Sequence, residues 1–208
     1  MPIEKGRAWG APGPFPSDGV VVGSDAEARA VIEKARAERQ AVPSLGLLGG
    51  DLCRTLGGGD AGGDRGGEGR LRSVGGVCFP IDLGEAIIDG RIHFFVAHLV
   101  ARSRLWTRAF VAMNAQWIGT LNLGPRAHPG DGLLDTYDAH LSPTQVLAVR
   151  SRAHHGSHLP HPGIHERRVP ALQSDFDSPL SVYLDGEPAG SVRRLSLRVE
   201  PDALRVVV

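Results

Sequence analysis

Four short segments in the second half of the chain carry the residue types best suited to chemistry. In chain order they are HPGDGLLDTYD, GSHLPHPGI, LDGEP and VEPDALRVVV. LDGEP brings the carboxyl groups of Asp185 and Glu187 into one turn, and a carboxylate can take a proton from a hydroxyl. HPGDGLLDTYD places Asp131 between two glycines, and carboxylate oxygens suit a hard cation. Both segments also have a purely structural interpretation, because Asp-Gly pairs are typical of tight turns between strands.

A dense group of histidines offers a different chemistry. Five imidazoles fall within a short stretch, at His154, His155, His158, His161 and His165. Imidazole is the commonest protein ligand of transition metals, so zinc, iron or nickel binding is one interpretation. The other is an extended loop, since the residue before a proline is pushed away from helical backbone.

The segment Gly23–Glu27 combines a glycine with a helix start. Ser24 and Glu27 have the spacing of a capping box, in which Ser24 accepts from the Glu27 amide and Glu27 returns to the Ser24 amide. The sequence therefore predicts a helix whose own side chains satisfy its N-terminus.

The elements that would position these residues fall into two groups. In the first half, apolar spacing predicts alternating strands and helices, which is typical of a fragment of a parallel α/β layer. The predicted elements are strand Val20–Val22, helix Asp25–Ala41, strand Leu45–Leu48 and helix Asp51–Leu56.

From Val77 onward the pattern changes to β-strands. The runs on either side of Asp89-Gly90 predict a hairpin, because Asp-Gly supplies the positive φ of a type I′ turn. Further strands are predicted at Ala109–Trp117 and Leu133–Tyr137. Ser142 and Pro143 predict a helix start, and the helix should extend to Arg152.

We therefore expect an α+β protein in which a small α/β layer packs on a larger antiparallel β-sandwich-like domain. The predicted divisions are an extended Pro/Gly-rich arm (1–18), the α/β layer (19–57), a glycine-rich flexible loop (58–73) and the β domain (74–208). The site should lie in the cleft between the layer and the domain, because pockets favour such junctions.

Composition narrows the possible partners. The formal net charge of the 208 residues is zero, which argues against nucleic acid. Two cysteines provide no disulfide framework, so a cytoplasmic protein is the simplest expectation. The N-terminal stretch lacks the apolar core of a signal peptide. No apolar run approaches the roughly 20 residues that span a bilayer, so membrane contact should be peripheral at most.

Taken together, the four segments resemble the C-terminal domain of the diacylglycerol kinase family, the bacterial lipid kinases. Gly156, His158, His161, Pro162 and Gly163 match that family's Gly-x-His-x-x-His-Pro stretch, which is a loop leading into a strand. The motif NAQWIG (114–119) and the motif Asp82-Leu83-Gly84 also resemble family segments. The resemblance extends from about Val77 to the end of the chain.

The resemblance implies roles for individual residues. Glu187 would act as the general base on a lipid hydroxyl, with Asp185 beside it. A structural magnesium would be held by the Asp131 carboxylate and the backbone carbonyls of His128 and Leu133. ATP would be bound at two loops, formed by Gly23, Ser24 and Asp25 and by Gly49, Gly50 and Asp51.

Both nucleotide loops depart from the family pattern. Family members carry Gly-Gly-Asp-Gly-Thr where this chain has Gly23-Ser24-Asp25-Ala26-Glu27. The second family motif, Pro-x-Gly-Thr-Gly-Asn-Asp, is reduced to Leu47-Leu48-Gly49-Gly50-Asp51-Leu52. A carboxylate at Glu27 would repel a phosphate, so ATP binding should be weak or absent.

Two functions follow from this comparison. The first is a non-catalytic relative that serves as a scaffold or lipid-binding module, and this is the favoured one. The second is an active divergent lipid kinase that uses ATP and Mg²⁺ on a diacylglycerol-like alcohol, with Glu187 as base. The second function requires nucleotide binding despite the altered loop, which a homodimer or a partner subunit would help to provide.

Overall fold

The computed structural model describes residues 9–58, 65–74 and 76–208. Four helices occur in this part of the chain: α1 (Asp25–Ala37), α2 (Asp51–Thr55), α3 (Arg65–Val74) and α4 (Pro143–Ala153). The strands before α4 are β1 (Ala11–Gly13), β2 (Val20–Val22), β3 (Leu45–Leu47), β4 (Gly76–Ile88), β5 (Arg91–Phe95), β6 (His98–Arg102), β7 (Arg108–Met113), β8 (Trp117–Ile118), β9 (Leu121–Asn122) and β10 (Leu134–His140). The last strands are β11 (Ile164–Val169), β12 (Ala171–Leu184) and β13 (Glu187–Val207).

A large, mostly antiparallel sheet organises the described residues. Its strand order is β1-β4-β13-β12-β6-β7-β10-β11, and β5 adds to β4. The short strands of the N-terminal layer join the same sheet, because β2 pairs with β3 in parallel and β3 pairs with β13 in parallel. The predicted α+β class with a large antiparallel β domain is confirmed, and the α/β layer is continuous with that domain through β13.

Two apolar clusters hold these parts together. The first lies within the β domain and includes Phe95, Leu99 and Phe110. The second lies at the junction, where Ile32 of α1 and Leu45 of β3 pack with residues of β4 and β13. Because Ile32 and Leu45 are almost completely buried, the N-terminal layer shares one core with the β domain.

Helix α1 ends four residues earlier than predicted. Its last helical residue is Ala37 rather than Ala41, and Arg39 adopts a φ of 55°. The amide of Gln40 donates to the carbonyl of Ala35 at 2.8 Å, which closes the helix with a reversed turn.

The glycine-rich segment differs more from its prediction. Residues 65–74 form α3, where we expected a flexible loop, while residues 59–64 lie outside the described part. Leu71 is 1% exposed and packs with Phe15 and Val207. Tertiary packing of one leucine therefore stabilises a helix that local composition disfavours.

The arm before β2 also has structure. Of the predicted arm 1–18, residues 1–8 lie outside the described part, and β1 pairs antiparallel with the start of β4. The ring of Trp9 lies 4.7 Å from that of Phe79 and 4.3 Å from that of His128. These contacts attach the arm to the β domain.

Most predicted β elements are observed. The hairpin at Asp89-Gly90 has the positive φ values of a type I′ turn, 50° and 77°. Helix α4 begins with a complete capping box from Ser142 and Gln145. The strand predicted at Ala109–Trp117 stops at Met113, because the amides of Asn114 and Ala115 both donate to the Ala97 carbonyl and interrupt the ladder.

Candidate functional site

The turn between β12 and β13 presents two acids in very different environments. Asp185 and Gly186 form its tip with φ values of 49° and 85°, and Leu184 pairs with Glu187. The Asp185 carboxylate is completely buried and accepts from the amides of Val96 (3.0 Å), Ala97 (2.9 Å) and His98 (3.1 Å). It therefore ties the β12–β13 turn to the start of β6.

Glu187 lies at the surface, and an arginine links it to Asp185. The Glu187 side chain is 62% exposed, and its carboxylate accepts from Nη2 of Arg29 at 2.8 Å. Nε of Arg29 lies 3.7 Å from the Asp185 carboxylate. Arg29, on α1, therefore contacts both acids of the turn.

The two loops predicted to bind nucleotide pack directly on each other. Asp25 accepts from the amides of Asp51 (2.5 Å) and Leu52 (3.2 Å), and so caps α2, whose N-cap residue Gly50 has no side chain. Gly50 has a φ of 98°, and a Cβ at this position would lie 2.6 Å from Asp25. Glycine is required here by the backbone and by the close approach of Asp25.

Asp51 extends this network into the β domain. Its carboxylate accepts from the Gly119 amide at 2.9 Å and lies 3.0 Å from Nε2 of His98. Sequence reasoning missed both His98 and Arg29. A lone histidine within the apolar run FFVAHLVA was the available signal for His98, whereas Arg29 is one of many surface-type arginines.

Burial and hydrogen bonds shift the pKa values of the titratable groups at the junction. Burial, together with the charge of Asp185, raises the pKa of Asp25 to about 7. Burial also raises the pKa of Asp185. Burial favours a higher pKa for Asp51 as well, but its hydrogen bonds with His98 and Gly119 outweigh that effect and lower the pKa. Burial opposes protonation of His98, yet the hydrogen bond with Asp51 and the charge of Asp185 raise its pKa.

The first nucleotide loop is closed by its own side chains. The Gly23 amide donates to the Glu27 carboxylate at 2.7 Å, and the Glu27 amide donates to Oγ of Ser24 at 3.2 Å. The Ser24 half of the predicted capping box is present, but Glu27 reaches the Gly23 amide instead of the Ser24 amide. A Cβ on Gly49 would lie 2.6 Å from the Gly23 carbonyl oxygen. These residues do not fit an ATP phosphate, because their own side chains and backbone fill the loop.

The turn predicted to hold magnesium is occupied by hydrogen bonds and an ion pair. The Asp131 carboxylate accepts from the Leu133 amide at 3.0 Å and from Arg168. Nε of Arg168 lies 3.2 Å from Asp135. Nδ1 of His128 accepts from the Gly130 amide at 3.3 Å. Because the Arg168 guanidinium already supplies the positive charge beside Asp131, this set of residues does not fit a bound Mg²⁺.

The histidine-rich segment does not converge on one point. Within the part of the chain that the structure describes, no three or more His, Cys, Asp or Glu side chains are arranged to hold a metal ion. His154 and His155 are exposed, and His158 is 3% exposed and hydrogen-bonded to the backbone of Leu123.

An apolar cavity of about 300 Å³ lies between α4 and the sheet. Its walls come from β7, β10, β11, α4 and the segment around β8 and β9, and include Trp106, Val111, Tyr137, Ala139, Val149 and His158. Two buried polar atoms of the lining, Oη of Tyr137 and Nδ1 of His158, have no hydrogen-bond partner among the described residues. Both atoms are buried too deeply to contact a molecule in the cavity, whose mainly aliphatic and aromatic walls suit an apolar ligand.

Comparison with known proteins agrees with this architecture. The family described as the YegS C-terminal NAD kinase beta sandwich-like domain matches residues 87–208. No curated protein gives a significant match to the chain.

Solved structures show the same fold over most of the chain. One candidate diacylglycerol kinase from Bacillus anthracis strain Sterne has a TM-score of 0.67 and 15% identity, covering 91% of this chain and 78% of its own. A further diacylglycerol kinase structure from that strain has a TM-score of 0.65 and 14% identity, with 91% and 76% covered. By its C-terminal β-sandwich domain, the chain belongs to the YegS/diacylglycerol kinase family.

Proposed function

We propose that this chain is a lipid-binding relative of the diacylglycerol kinases that binds ATP weakly or not at all. One observation carries the proposal: the amide of Gly23, where a phosphate would be bound, is bonded to the Glu27 carboxylate at 2.7 Å. A helix N-terminus attracts anions through its free amides and its dipole. Here the Glu27 carboxylate already occupies the position of the anion, and it would repel a phosphate.

The neighbouring loop supports the same conclusion. Asp25 caps α2 through the amides of Asp51 and Leu52, so these donors are also engaged. Opening the pair of loops for a triphosphate would leave the Asp25 carboxylate without these bonds in a buried position, which is costly. The N-terminal layer therefore serves as a packed support for the β domain.

The cavity beneath α4 supports the lipid-binding half of the proposal. Its lining is mainly aliphatic and aromatic, which suits an acyl chain.

Nucleotide binding is tested first by isothermal titration of the untagged protein with ATP and Mg²⁺. We expect no saturable heat at millimolar nucleotide, with an active diacylglycerol kinase as the positive control. Saturable binding would contradict the proposal and favour phosphate transfer to a lipid alcohol with Glu187 as base.

Filling the cavity should prevent lipid binding. Ala139 lines the cavity and is 8% exposed, so an Ala139→Phe ring would occupy acyl-chain volume. We expect at least about a tenfold loss of affinity for a fluorescent monoacylglycerol, since several buried methylenes would lose their contacts. Thr144→Phe places the same ring on the exposed first turn of α4 and serves as the control. Equal affinities for the two variants would place the lipid elsewhere.

A further inference from the structure

The surface beside the cavity carries exposed leucines. Leu105 and Leu147 are 68% and 69% exposed, the highest values for large hydrophobic side chains in the described ranges. Leu105 lies in the turn between β6 and β7, and Leu147 lies in α4. The Leu141 amide donates to the Thr107 carbonyl at 2.8 Å, which joins that turn to the segment leading into α4. We call residues 102–108 together with α4 the α4 face.

The α4 face is cationic. Residues 102–108 and 141–158 contain no aspartate or glutamate. Arg108 pairs with Asp138, and Arg102 donates to the Tyr183 hydroxyl. The remaining arginines of the face, Arg104, Arg150 and Arg152, are exposed and have no carboxylate partner among the described residues.

The α4 face is continuous with the cavity. Trp106 and Arg150 belong to both, and the Arg102 guanidinium lies 4.8 Å from the centre of the Trp106 ring. A tryptophan between apolar and charged groups is typical of a membrane–water boundary. A lipid leaving a bilayer at this face would meet the cavity lining directly.

We propose that the α4 face docks on the surface of a bilayer containing anionic phospholipids. Leu105 and Leu147 enter the acyl boundary, and the unpaired arginines contact lipid phosphates. Exposed leucines between the arginines disfavour a nucleic-acid partner, and a protein partner would need several carboxylates matched to the unpaired arginines. This inference identifies a membrane as the source of the lipid. It rests on the proposed function only for the identity of that lipid.

Vesicle sedimentation tests the docking. We expect binding to phosphatidylcholine vesicles only when phosphatidylglycerol is included, and weaker binding at high salt because exposed charges are screened. Leu105→Ser with Leu147→Ser should weaken binding about tenfold or more. Arg104→Gln with Arg152→Gln should weaken it by about fivefold per arginine.

A matched control exists on another hairpin. Arg91 and Ile92 lie on β5, which pairs with β4 outside the α4 face. Arg91 is exposed and Ile92 is 57% exposed, so the pair matches the arginines and leucines of the α4 face in type. Arg91→Gln with Ile92→Ser should leave vesicle binding unchanged. Equal losses for this control, or no binding to anionic vesicles, would overturn the docking proposal.

Two further measurements separate this inference from the proposed function. A monodisperse short-chain monoacylglycerol tests the cavity without a bilayer: the leucine variant should still bind it. Loss of that binding in the wild type, with vesicle binding retained, would overturn the proposed function alone. Light scattering of the leucine variant tests self-association: conversion of a dimer to a monomer would identify the face as a dimer interface and overturn docking.

Discussion

Replacing Asp185 by alanine should lower the free energy of unfolding by about 4 kcal/mol, because three buried backbone amides would lose their acceptor. These are the amides of Val96, Ala97 and His98. Alanine would also occupy a positive φ of 49°, at a cost of about 1 kcal/mol. Relief of repulsion between Asp185 and Asp25 would offset part of the loss. Urea unfolding followed by circular dichroism measures the difference.

Two substitutions isolate the cause. Asp89→Ala occupies an exposed hairpin turn with a φ of 50°, so it reports the backbone cost alone, about 1 kcal/mol. Glu187→Gln removes only an exposed ion pair with Arg29 and should cost less than about 1 kcal/mol. A loss at Asp185 no larger than at Asp89 would show that the three amides find other partners. Because Glu187→Gln should leave the fold intact, it is the appropriate variant for testing Glu187 as a general base.

The protein should become less stable as the pH rises from 5.5 to 8, and Asp25 is one of the groups responsible. Its pKa is raised to about 7 in the folded chain, against about 3.9 in an unfolded one. The folded state therefore holds the proton more tightly, and the stabilisation present below pH about 4 is lost as the pH passes through 7. From Asp25 alone we expect a loss of about 2 kcal/mol between pH 5.5 and 8, measured by urea unfolding.

Other groups act in both directions across this range. Burial raises the pKa values of Asp185, Asp82 and Asp135, that of Asp135 to about 6, and these groups add to the loss with rising pH. The raised pKa of His98 acts in the same direction. Burial lowers the pKa values of His128 and His158, and these act in the opposite direction below about pH 6.5. Asp25→Asn should reduce the slope, while Asp89→Asn at the exposed turn should preserve it. A slope unchanged in Asp25→Asn would assign the pH dependence to the other groups.

The sequence predicted correctly those elements whose structure depends on residues adjacent in the chain. The hairpin at Asp89-Gly90 and the capped start of α4 depend on residues adjacent in sequence, and both are observed. Helix α3 was missed because its glycines disfavour a helix, and the packing of Leu71 against Phe15 and Val207 involves distant parts of the chain. The early end of α1 was missed because nothing local shows that Arg39 adopts positive φ.

The predicted site residues separate into two locations. Asp185, Asp25 and Asp51 meet at the junction of the N-terminal layer and the β domain, where the cleft was expected. Asp131 belongs instead to an ion-paired turn with Arg168. His98 and Arg29 complete this group of acids at the junction, by contacts with Asp51 and Asp185. Neither has a sequence neighbour that indicates these contacts.

The sequence by itself determined the family, the α+β class and the Ser24 cap of α1, because motifs, alternation and caps act over a few residues. The tertiary structure alone decided which acid of the LDGEP turn is buried, since this depends on amides nearly ninety positions away at Val96–His98. It also decided the α4 face. Trp106 and Arg150 lie far apart in sequence, and only the packing of the β6–β7 turn beside α4 brings both to the same cavity. The exposed Leu105 and Leu147 belong to these same two elements.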